Sequence, residues 1–201
     1  MSKFFQGNLL FVWTISVSAF VGVSVFNTLG IDEESIRLNI RYSARISLVL
    51  FSFAFIASSL LKSFPSDFSR YLMKNRRVFG LSFGISHLIH LAYILMLLFI
   101  VYDGDIEGLG GLKSLAPSIA IYLYIFLMML TSNNYSMKMI GVKYWTWMHR
   151  LGMYFISIGL AVGFYKVLNV DLVFYGGLLI FMLLQFGLRI YSFLNKPSNE
   201  L

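Results

Sequence analysis

A chain of 201 residues that is 58% hydrophobic and only 12% charged carries more apolar surface than a soluble domain of its length can hide. Its net charge of +7 is not a nucleic-acid footprint, because the basic residues flank apolar runs instead of covering a folded surface. The absence of cysteine excludes disulfides, thiolate metal sites and all-cysteine iron–sulfur clusters. The class is an all-α integral membrane protein, a single six-helix transmembrane domain over residues 1–201; a β-barrel needs short alternating segments, and there are none.

The first span runs from Leu9 to Leu29. Its apolar run is too long for a signal peptide, and no small-residue cleavage site closes it. The second runs from Ile46 to Leu61, with Arg41 and Arg45 at its entry, and the third from Val78 to Val101 behind Arg76 and Arg77. The segment "GDIEGLGGLKS" follows. It lacks the Gly-Lys-Ser/Thr ending of a phosphate loop and reads as a flexible outer loop. The fourth span, Ala116 to Leu130, is short and has Pro117 at its start. Tyr144, Trp145 and Trp147 then read as an interfacial aromatic belt. The fifth span runs from Trp147 to Leu168 and carries Lys166 late; the sixth runs from Leu172 to Leu194 and carries Arg189 late. No internal repeat marks an inverted-repeat transporter.

Lysine and arginine placement orients these spans. With the N-terminus inside, the inside segments and adjoining span ends hold Lys3, Lys62, Arg70, Lys74, Arg76, Arg77, Lys138, Lys143, Arg150, Arg189 and Lys196, eleven of the sixteen basic residues. The outside loops hold Asp32, Glu33, Glu34, Asp103, Asp105, Glu107 and Asp171, seven of the nine acids. The positive-inside rule therefore predicts both termini in the cytoplasm.

All three histidines fall within spans. At about 100° per residue, Arg76, Gly80, Phe83, His87 and His90 share one face of the third helix. That face should turn inward, because imidazole facing lipid is costly, and its glycine lets something large and flat approach. His149 lies near the inner end of the fifth span, with Gly152, Met153, Ile156 and Gly163 near its face. One reading makes the histidines interhelical hydrogen-bond partners. The sharper reading makes them axial ligands of a heme, since neutral imidazole is a strong iron ligand and helical bundles place facing ligands well. Zinc fits less well, because the spans offer no acid as a further ligand.

Two stretches carry a resemblance. "RRVFGLSFGISHLIHLAY" has an arginine pair, a Gly-Leu a few residues on, and a histidine fourteen after the first arginine: Arg76, Arg77, Gly80, Leu81 and His90. "TSNNYSMKMIGVKYWTWMHRLGMY" has Thr131 and Ser132, a basic loop, then Trp145, Met148, His149, Arg150 and Leu151. Both resemble the ferric reductase-like transmembrane family. They are closest to its branch of heme-binding membrane subunits from the bacterial methionine-sulfoxide reductase system.

The resemblance implies a six-helix bundle in the bacterial inner (plasma) membrane that passes electrons through heme b. It implies metal ligands at His90 and His149, to which the shared helix face adds His87 as a candidate, and cofactor contacts from Arg76 or Arg77, whose alternative role is a positive-inside anchor. Two departures matter. Val162 stands where the family has a second fifth-span histidine, and His87 lies outside the motif. One heme is therefore expected, not two. A heme-free transporter or scaffold on the same fold is the alternative. With seven residues after Leu194, electrons are expected from a separate flavoprotein, carrying the flavin, or from quinol. The acceptor would be a partner enzyme, ferric iron or oxygen.

Depth leaves the third-span ligand open. At 1.5 Å per residue, His87 is about 15 Å and His90 about 20 Å from Arg77, and His149 about 9 Å from Lys143. Two axial ligands share one height, which favours His87; the motif favours His90.

Overall fold

The computed structural model describes residues 8–195. Lys3 and Lys196, counted above among the inside basic residues, lie outside the described residues. Seven α-helices follow in order: α1 (Asn8–Leu29), α2 (Glu33–Ser63), α3 (Asp67–Met96), α4 (Gly111–Thr131), α5 (Asn134–Ile140), α6 (Val142–Lys166) and α7 (Leu172–Leu194). No strand occurs among the described residues. All but α5 are long and apolar enough to cross a membrane.

Five of the six long helices start before the spans read from hydropathy. α2 begins at Glu33, not Ile46, and α3 at Asp67, not Val78; α4 and α6 each start earlier as well. The added turns carry their charged pair on the exposed face only. Glu33 and Arg37 form an exposed ion pair at 2.8 Å, while Ser35, Ile36 and Asn39 are buried behind them. Reciprocal caps fix the starts. Ser35 N–H donates to Asp32 Oδ1 (2.8 Å) and Asp32 N–H to Ser35 Oγ (3.1 Å), which holds the Asp32 carboxyl below its usual range. Ser69 N–H donates to Ser66 Oγ (3.1 Å) and Ser66 N–H to Ser69 Oγ (2.8 Å) at the head of α3.

The chain divides into two compact units, with boundaries inside α2 and α3. One comprises Met1–Phe51 and Val78–Asn133, the other Ser52–Arg77 and Asn134–Leu201. In the first unit, α1 buries a narrow stripe of Leu10, Thr14, Ser18 and Val25 and exposes Val12, Phe20 and Val23, the distribution of a helix that meets lipid. A side chain at Gly22 would collide with the Tyr93 hydroxyl, so glycine permits that approach. α2 and α3 meet along a seam of small polar residues, with Ser47 Oγ and Ser86 Oγ 2.9 Å apart.

The segment expected to be a flexible outer loop is instead a built turn. A π-helical turn, Leu97–Val101, ends α3. A 3₁₀ turn, Ile106–Leu109, is capped by Asp105 Oδ1 accepting from Glu107 N–H (3.0 Å). Gly110 and Gly111 take φ of 93° and 74°, a left-handed pair that only glycine adopts freely, and α4 starts there.

In the second unit the core is aromatic. Phe55 of α2 packs edge-on against Tyr154 of α6 (5.8 Å) and Phe186 of α7 (5.4 Å). Gln185 Nε2 donates to Ser52 Oγ (2.9 Å), both buried. Asp171 caps α7 by accepting from Phe174 N–H (2.9 Å).

Candidate functional site

The first unit holds two of the three histidines. Phe51, Phe83, His87 and Tyr122 form a continuous chain of rings, with centroids 5.2, 5.3 and 5.1 Å apart in turn. His90 stacks on His87 at 5.0 Å. The inward face read from the sequence is present: Phe83 is 4% exposed and His87 7%. A side chain at Gly80, on that face, would meet nothing within 4 Å.

The two imidazoles differ chemically. His90 Nδ1 lies 2.9 Å from the Ile40 carbonyl and 3.0 Å from Ser43 Oγ. Ser43 Oγ is itself 2.7 Å from the Asn39 carbonyl, to which it donates. A carbonyl can only accept, so Nδ1 carries the proton and Nε2 the lone pair. This bond to the outer nitrogen is the one that orients a metal-ligating histidine and raises its basicity. His87 Nδ1, by contrast, is buried with no hydrogen-bond partner among the described residues, as is the Tyr122 hydroxyl. Asn39, Ser43 and Tyr122 were not singled out from the sequence. The four-residue spacing Ser35, Asn39, Ser43, Ser47 was the available signal for the first two.

The second unit holds His149, which is half-buried. Trp145, one turn earlier, stacks on it at 4.0 Å. Of the three residues read as an aromatic belt, Tyr144 (70% exposed) and Trp147 (64%) face outward, and Trp145 serves the histidine instead. Gly152, Met153 and Ile156 are buried as expected; Gly163 is exposed, one residue from exposed Val162.

The arginine pair separates. Arg76 is half-buried and its Nε donates to the Ala54 carbonyl (3.0 Å). Arg77 is exposed and reaches Asn134 Oδ1 at 3.4 Å. Arg189, half-buried on α7, donates to the adjacent carbonyl, Phe55, and through Nε to the Tyr154 hydroxyl (3.1 Å), its guanidinium 4.3 Å from the Phe55 ring.

Depths counted from Arg77 lose their basis, because α3 begins ten residues earlier at Asp67, about 15 Å back along the axis. No arrangement of three or more histidine or acidic residues suited to a metal ion occurs among the described residues. No protein-family model matches the chain, and neither a curated protein nor a solved structure matches it.

Proposed function

We propose that the chain is a transmembrane electron carrier that uses one b-type heme, which His90 would hold through its iron. The observation that carries this reading is the Ile40 carbonyl on His90 Nδ1, which leaves a neutral Nε2 lone pair on an inward helix face. The donor set fits: a neutral imidazole of fixed tautomer, with open space beside Gly80 on the same face. A bound heme supplies one-electron oxidation and reduction. The protein's part is to hold the ligand imidazole, exclude water with the Phe51–Phe83–His87–Tyr122 rings, and tune the ligand through Ile40 and Ser43.

By resemblance alone, His149 would be a further residue holding the heme. Within the arginine pair, Arg76 is the inward member and the candidate for a cofactor carboxylate; exposed Arg77 is the anchor. His87 is a packing neighbour of His90 and not a ligand. Both termini are placed in the cytoplasm and the protein in a bacterial inner membrane. The donor is a flavoprotein or quinol, and the acceptor a partner enzyme, ferric iron or oxygen. Val162 favours one other reading, a heme-free scaffold or transporter on this fold.

Paired substitutions test the ligand assignment. His90→Ala is expected to abolish the low-spin heme spectrum or convert it to high spin. His87→Ala should keep a low-spin spectrum with a small shift. The reverse pattern would make His87 the ligand. Full low-spin spectra from both, and from His149→Ala, would remove the histidines from the iron.

A further inference from the structure

We propose that Arg76 and Arg189 form a binding site for the phosphate headgroup of an anionic phospholipid. Their side chains turn inward to neighbouring carbonyls of α2, Ala54 and Phe55. Successive carbonyl oxygens of a helix lie roughly 3–4 Å apart, so the two bonding nitrogens are within about 9 Å of each other. Two like charges this close, on helices that meet lipid, repel, and an anion bound between them would relieve that repulsion.

The second unit itself supplies none among its described residues. The second unit there has ten basic residues (Lys62, Arg70, Lys74, Arg76, Arg77, Lys138, Lys143, Arg150, Lys166 and Arg189) against two acids, Asp67 and Asp171. Both acids are committed elsewhere. Asp67 pairs with Arg70 at 2.8 Å, and Asp171 caps the opposite end of α7 from Arg189. The arginines keep donors to spare: of five N–H groups each, Arg76 uses one and Arg189 two. None of their nitrogens is sealed off without a partner.

A lipid phosphate fits this site better than a soluble anion. Ile180 (60% exposed), Leu183 (68%) and Leu184 (68%) precede Arg189 along α7, on its membrane side, and offer apolar surface for acyl chains below the headgroup. Basic pockets among membrane helices near the headgroup level recognise anionic lipids in this way.

The proposal does not rest on heme, and a cofactor carboxylate is the rival occupant of Arg76. Native mass spectrometry and thermal unfolding of the detergent-solubilised protein would be run with phosphatidylglycerol, phosphatidylcholine or inorganic phosphate. We expect retained phosphatidylglycerol and a raised Tm, with no such effect of phosphatidylcholine. Arg76→Gln/Arg189→Gln should weaken lipid retention at least tenfold, while Arg77→Gln leaves it unchanged. Heme-free protein should bind the lipid equally well. Equal stabilisation by inorganic phosphate would make the ligand a free anion. Equal retention of both lipids, unchanged binding in the double variant, or binding that vanishes with heme would each overturn the lipid site. If the double variant fails to insert, headgroup selectivity of the unaltered protein decides the matter.

Discussion

At the scale of single residues, His87 and His90 sit one turn apart on α3 yet meet different partners. His90 donates to a backbone carbonyl; His87 is enclosed by rings with its Nδ1 unbonded. Both histidines stand out in a chain with only three, so their presence was legible in the sequence. Their difference was not, because the deciding acceptor is the carbonyl of Ile40, and a backbone oxygen leaves no trace in residue identity. The Arg76/Arg77 pair is similar: helical periodicity put Arg76 on the inward face, but its acceptor is again a carbonyl, Ala54. Asp32 offers a pH test at this scale. Its carboxyl is held below its usual range by the Ser35 N–H, so the cap is complete above the ordinary carboxylate range and is lost as pH falls through the lowered value. Protection of the Ser35 amide, taken against its intrinsic exchange rate at each pH, should therefore persist in mild acid and fall only below the ordinary aspartate range. Asp32→Ala should lack that protection at every pH; equal protection with and without the carboxylate would mean that the cap does not hold the start of α2.

Among the elements, α2 is the most buried of the six long helices and α4 the least. All six were found from apolar length, but α2 and α3 were cut short. Hydropathy averages over every face of a helix, and the charged outer faces of residues 33–45 and 67–77 outweighed the buried inner ones. α5, at seven residues, falls below what periodicity can resolve. What the averages also missed is the seam of serines that lets α2 and α3 approach. Ser47 and Ser86 are both 0% exposed and bonded to each other. Ser47→Leu should overpack this contact and destabilise the protein by about 1–3 kcal/mol, seen as a lower Tm in detergent. Ser47→Ala loses only one hydrogen bond and should cost about 1 kcal/mol or less. A leucine variant as stable as the alanine one would show that the seam is not close-packed.

For the whole molecule, apolar length and charge placement together predict an even number of crossings. Reporter fusions at Gly110 and after Leu201 should lie on opposite sides of the membrane, with the C-terminal fusion cytoplasmic. Fusions on one side would mean that a helix fails to cross, and short α4 is the first suspect. The proposed function turns on one prepared imidazole, His90, and by resemblance on His149 and Val162. These make a definite stoichiometric claim. Pyridine hemochrome analysis of protein purified from heme-replete cells should give about one heme b per chain, with a Soret band and a sharp reduced α-band. A colourless protein under those conditions would contradict electron transfer through heme and leave the heme-free scaffold or transporter in its place.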